Sequence, residues 1–187
     1  MIASQSAIGM LELSSIAAGQ VAQDAMLKAS AVKLILARTI CSGKYLILVG
    51  GDVAAVRASV DAGISASSGF LIEELVIPNI HEQCFPALSG AVDLSGFNAE
   101  SLGVVESFSA ASILEGADAA AKAADVLVFR IHVAMAVGGK GYLMLTGSVA
   151  AVTAAVEAAA SAVSQRGMLV HQVVIAAPRP ELFGEFI

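Results

Sequence analysis

Cys41 is one of two cysteines in a chain of 187 residues, and it stands beside Ser42-Gly43-Lys44 in a stretch whose surroundings occur twice although the cysteine does not. Its thiolate is the form that attacks electrophiles or binds soft metals. The other cysteine, Cys84, belongs to His81-Glu82-Gln83-Cys84, has no repeated counterpart, and reads as a buried small hydrophobe. No C-x-x-C pair offers a zinc or thioredoxin-like site within one chain. Metal chemistry at Cys41 therefore has to borrow ligands from another subunit. His81, His132 and His171 are scattered over a linker and two strands without ligand spacing, and read as satisfied or exposed histidines. Glu12 and Glu106 occupy equivalent strand ends, which points to a structural pairing in each copy rather than to an acid catalyst. Ser42-Gly43-Lys44 and Gly138-Gly139-Lys140 fall short of a phosphate loop, because no Gly-x-x-x-x-Gly-Lys-Ser/Thr is present and the glycines precede strands. No acid, base and nucleophile converge in the pattern, so an enzyme is not expected.

The elements that hold these residues are written twice. Ile8-Gly9-Met10-Leu11-Glu12 returns as Leu102-Gly103-Val104-Val105-Glu106, and Asp24-Ala25 with Lys28-Ala29 returns as Asp118-Ala119 with Lys122-Ala123. The shift is 94 (102 − 8, 118 − 24). Further on it becomes 96, with Gly43-Lys44 matching Gly139-Lys140 and Gly51-Asp52-Val53 matching Gly147-Ser148-Val149 (139 − 43, 147 − 51). Two residues have entered the second copy between Val126 and Gly139. A period this long marks a duplicated domain, since solenoid repeats run to roughly 20–50 residues.

Composition narrows the class. A hydrophobic fraction of 57% and a mean hydropathy of +0.82 raise the question of a membrane protein. The longest uncharged stretch, Gly141 to Val156, contains Thr146, Gly147 and Ser148 and falls short of the roughly 18 apolar residues of a spanning helix. Much of the excess is alanine, which suits close packing and subunit contacts. Met1-Ile2-Ala3-Ser4 has no basic segment ahead of an apolar core, so a cytoplasmic protein without a signal peptide is expected. A net charge of −6 with 10 Lys and Arg gives no clustered basic face for nucleic acid.

Each copy predicts the order β-α-β-β-α-β, an α+β fold with helices packed on an antiparallel sheet. Strands are expected over Ala7 to Leu13 and Ser101 to Ser107, followed by alanine-rich helices capped by Ser14-Ser15 or Ser109 and ending near Ser30 or Ala124. Val32 to Thr39 and Lys44 to Val49 read as strands joined by an Ile40-Cys41-Ser42-Gly43 hairpin turn. Asp52 and Ser148 cap second helices to about Ser67 and Gln165, and Leu71 to Ile77 and Met168 to Ile175 close the units. The division is a first repeat over 1–81, a linker over 82–99 punctuated by Pro86, Gly90 and Gly96, and a second repeat over 100–187.

The tandem Ile-Gly-x-x-Glu strand, the Asp-Ala-x-x-Lys-Ala helix end, the Gly-Lys strand leading to Gly-Asp-Val, and the terminal Pro178-Arg179-Pro180 resemble the bacterial microcompartment shell proteins of the tandem-domain, trimer-forming type. The resemblance runs over nearly the whole chain. It implies a homotrimer shaped as a pseudohexameric tile with a central pore, set among other shell proteins in a cytoplasmic microcompartment, with no nucleic-acid or membrane partner. It places Ile40, Cys41, Ser42 and Gly43, with Val137, Gly138 and Gly139, in the pore loops, and Lys28, Lys122 and Arg179 at the tile edge. Pro78-Asn79-Ile80 replaces the Pro-Arg-Pro motif in the first copy, which leaves an arginine contact there in question.

Within that family, Arg38-Thr39-Ile40-Cys41-Ser42-Gly43-Lys44 resembles the propanediol-utilisation type that carries an iron-sulfur cluster. The resemblance implies one 4Fe-4S cluster per trimer, ligated by one Cys41 from each chain, with an encapsulated redox enzyme as an electron partner. The chemistry is consistent. A cubane has a threefold axis through one iron, so three irons take three symmetry-related thiolates and the fourth is left to water or another ligand, whereas clusters normally take four thiolates. Gly43 lets the backbone turn tightly and bring N–H groups toward sulfur. On the residue alone, a metal-free Cys41 is the simpler reading. Two alternatives stay open: a plain tile whose pore conducts small polar metabolites, and a small trimeric ligand-binding protein or enzyme.

Overall fold

β1 (Ala7–Leu13) and β5 (Ser101–Ser107) are the second strands in from the edge of two four-stranded antiparallel sheets. The computed structural model describes residues 6–94 and 100–183; Met1 to Ser4, Gly96, Asn98 and the last four residues of the second repeat lie outside them. β1 is buried along its whole length, which explains why it carries apolar residues on both faces. The remaining elements are α1 (Ile16–Ala29), β2 (Lys33–Ile40), β3 (Lys44–Gly51), α2 (Val53–Ala66) and β4 (Leu71–Pro78) in the first repeat. A short helix α3 (Cys84–Ser89) precedes β5, and α4 (Ala110–Ala123), β6 (Leu127–Val133), β7 (Gly141–Gly147), α5 (Val149–Gln165), β8 (Leu169–Ala176) and a 3-10 turn (Pro180–Phe183) follow it. The sheets run β2-β3-β1-β4 and β6-β7-β5-β8, the same topology twice. The chain divides into compact units at 1–80 and 81–187.

Caps end the helices as the polar residues demand. The Ser15 hydroxyl accepts from Ala18 N–H at 3.3 Å, Ser109 accepts from Ala111 and Ser112, Asp52 from Ala55 at 2.9 Å, and Ser148 from Ala151 at 3.3 Å. Each satisfies a backbone donor worth about 1 kcal/mol. The segment between the repeats holds α3, whose Cys84 and Ala87 are buried, and the Gln83 side-chain Oε1 accepts the backbone N–H of Val128 at 2.9 Å. α3 thereby covers part of the β6 edge, which would otherwise present unpaired donors. Its six residues are too few for a helical period to show in the sequence.

Within each repeat, helix and strand pack through complementary pairs. A Cβ on Gly19 in α1 would lie 2.5 Å from the Tyr45 ring on β3; at the equivalent places the second repeat has Ile113 and Gly141, where a Cβ on Gly141 would lie 2.5 Å from the Ile113 side chain. One repeat puts the bulk on the strand, the other on the helix. Tyr45 also receives a hydrogen bond from Gln20 and donates to Gln23, both 2.8 Å. Gly19→Ile is therefore expected to destabilise the first repeat by about 1–3 kcal/mol through overpacking. Adding Tyr45→Gly, which transplants the second repeat's pair, should recover part of the loss and leave the deficit of the Gln20 and Gln23 bonds. Denaturant unfolding of both singles and the double measures this coupling; additive losses would show that the two positions do not share the space.

Candidate functional site

The β2-β3 hairpin closes over three residues, Cys41, Ser42 and Gly43, with Ile40 paired to Lys44 across its base. Cys41 is half-buried at this tip. Gly43 has φ +79°, a left-handed conformation that favours glycine, and open space lies where a Cβ would be. Lys44 Nζ donates to the Glu12 carboxylate at 2.7 Å, and Glu12 is buried on the central strand, so the lysine after the turn is pinned to β1. The second repeat carries the corresponding pair, Lys140 with Glu106, longer at 3.8 Å and more exposed. The recurrent glutamates thus serve the structural pairing expected of them.

The two extra residues of the second repeat fall in this same hairpin. Ala134 N–H donates to Lys140 C=O at 2.9 Å, closing a loop of five residues, Met135 to Gly139, where the first repeat has three. Val137, Gly138 and Gly139 lie in it, with Gly138 and Gly139 at φ +65° and +85°. Ala134 and Ala136 also adopt positive φ, both +61°. Such conformations cost alanine roughly 1–2 kcal/mol each.

Cys84 is elsewhere and chemically different. It is fully buried in α3, and burial, reinforced by the Asp118 carboxylate and opposed by Lys122, pushes its thiol up to about 12. At neutral pH it stays a protonated thiol and a poor ligand. Among the described residues no three His, Cys, Asp or Glu side chains gather to hold a metal within the chain.

Lys28 and Lys122 end α1 and α4, each 2.6 Å from the aspartate one turn earlier, Asp24 or Asp118. The first pair is open to solvent; Asp118 is largely buried and also accepts the His81 N–H at 2.8 Å. Arg179 is exposed and donates to both Glu181 oxygens, at 3.3 and 2.9 Å, which holds that carboxyl below the ordinary carboxylate range. The structure also realigns the first copy. Asn79 (φ +52°) follows β4 as Ala177 (φ +48°) follows β8, so Pro178 corresponds to Ile80 and the counterpart of Arg179 is His81, one residue beyond Pro78-Asn79-Ile80. The correspondence of His81 with Arg179 does not show in the sequence because β4 lies at a shift of 98 from β8 (169 − 71), not 94 or 96.

The repeated β-α-β-β-α-β units match the BMC domain twice, over residues 7–80 and 101–178. The chain belongs to this family, the bacterial microcompartment shell proteins, and to its tandem-domain form. It is 40% identical over 181 residues to the bacterial microcompartment shell protein PduT of Citrobacter freundii, covering 97% of both chains. It is 42% identical to the shell protein EutM of Salmonella typhimurium over 85 residues, 43% of this chain and 88% of that one. A microcompartments protein from Desulfitobacterium hafniense DCB superposes with a TM-score of 0.90 at 44% identity, covering 94% of this chain and 97% of that chain. Among the described residues no helix is long and apolar enough to cross a membrane.

Proposed function

We propose that three copies of the chain form a pseudohexameric tile of a bacterial microcompartment shell in the cytoplasm, and that the three Cys41 thiolates meet at its central pore to hold one 4Fe-4S cluster. The observation that carries this reading is the placement of Cys41. It stands half-buried at the tip of a short hairpin in one repeat only, and among the described residues no group of three His, Cys, Asp or Glu that could hold a metal includes it. That donor set fits a shared group on a threefold axis and does not fit a site within one protomer. When bound, the cluster supplies a one-electron redox centre, suited to passing electrons across the shell to an encapsulated redox enzyme or to redox gating of the pore.

The chain's own residues do the positioning. Glu12 holds Lys44, Lys44 anchors the start of β3, and Gly43 supplies the left-handed conformation that closes the three-residue turn carrying the thiol. Lys28, Lys122 and Arg179 are exposed or partly exposed at the helix and strand ends and serve as tile-edge contacts to neighbouring shell proteins. The duplicated unit, with small-residue faces, closes as a C3 ring that looks sixfold. Light scattering of anaerobically purified, full-length protein should return a trimer that is brown. A stable monomer at micromolar concentration would overturn the tile; a colourless trimer would leave a plain tile whose pore conducts small polar metabolites.

A further inference from the structure

We propose that His132 is a positioning residue for the second repeat's hairpin loop, clasping Met135 to Gly139 in one conformation, and that the clasp sets how open the pore is on that repeat's side. The second half of the statement rests on the reading that this loop borders the pore. Ala134 and Ala136 are held at φ +61°, a region that residues with a Cβ leave unless the surroundings over-determine them. His132 supplies that constraint. Its Nε2 lies 2.6 Å from the Met135 carbonyl oxygen, and because a carbonyl can only accept, Nε2 carries the proton.

The ring is fixed from the other side. It stacks on Tyr142, its partner across β6 and β7, with centroids 5.0 Å apart and planes 15° from parallel. Tyr142 is in turn opposite Glu106, which pairs with Lys140, the residue that ends the loop. The loop is thus secured before and after its excursion, by His132 and by Lys140. At the same level the first repeat has Arg38, Leu46 and Glu12 across its strands, without a histidine or an aromatic ring, and its hairpin is two residues shorter. The clasp accompanies the longer loop.

The test uses the assembled full-length protein with two variants. His132→Phe keeps a stacking ring and removes the donor; His132→Gln keeps a donor. Hydrogen exchange of the Met135 to Gly139 amides reads the clasp, and conductance through planar lipid bilayers reads the pore. His132→Phe should raise exchange of this loop about tenfold, the equilibrium effect of one lost hydrogen bond. It should also raise conductance, with His132→Gln close to wild type in both and iron content unchanged in both. Exchange within twofold of wild type in His132→Phe would overturn the clasp. Raised exchange with unaltered conductance would uphold the clasp and overturn its control of the pore. A wild type that forms no trimer would count against the tile itself, while the exchange result still decides the clasp.

Discussion

Cys41→Ser is expected to remove iron, acid-labile sulfide and visible absorption together, from one cluster per trimer to none. Serine is nearly the size of cysteine, and the site lies on a half-buried turn rather than in either core, so the fold should lose little. Cys84→Ser makes the contrast. Its side chain is fully buried and its thiol raised to about 12, so it is a poor thiolate donor, and all three signals should remain. Cys84→Ser is expected to cost stability, about 1–3 kcal/mol, because the hydroxyl that replaces a fully buried thiol is taken out of water. Iron retained in Cys41→Ser, or lost in Cys84→Ser with the fold intact, would exclude the pore cluster.

Charge reversal at both helix ends should abolish tile-to-tile assembly while leaving trimers whole. Lys28 and Lys122 recur at equivalent positions and each is pinned to an aspartate one turn earlier. Replacing both with Glu places a carboxylate beside Asp24 and Asp118 and against the negative end of each helix dipole, which costs about 0.3–1 kcal/mol per exposed site. That is small against the stability of a domain. At Lys122 the local cost is larger, since Asp118 is largely buried and also holds the His81 amide, so Lys122→Gln serves as the milder control. Electron microscopy of sheets or tubes, with light scattering for the trimer, reads the two outcomes separately. Sheets formed unchanged by the double Glu variant would return both lysines to ordinary solvated helix ends.

The fold was legible because local signals agreed with the duplication. Ser15, Asp52, Ser109 and Ser148 cap the helices where polar residues precede apolar runs, and the fully buried β1 shows as an apolar run in both copies. The inserted pair of residues was located to a broad interval from shifts alone, and strand register narrowed it to the hairpin loop. What stayed hidden depends on pairing across strands. His132, Tyr142, Glu106 and His171 stand opposite one another over β6, β7, β5 and β8, yet their own spacing does not reveal it, because register follows from the hydrophobic pattern and turn geometry of all four strands together. The exchange of bulk between Gly19 with Tyr45 and Ile113 with Gly141 is likewise readable only when helix and strand are brought together. Cys41 stands out in the sequence by its lack of a repeated partner, and the structure adds its half-buried place at a hairpin tip.

Native mass spectrometry of the anaerobically purified protein tests the central claim most directly, since it weighs the assembly and its inorganic content in one species. The account predicts a single dominant ion of three chains carrying four irons and four sulfides, converted to the bare trimer by Cys41→Ser. A metal-free trimer from strictly anaerobic preparations, or iron bound in equal number to every single chain, would contradict it.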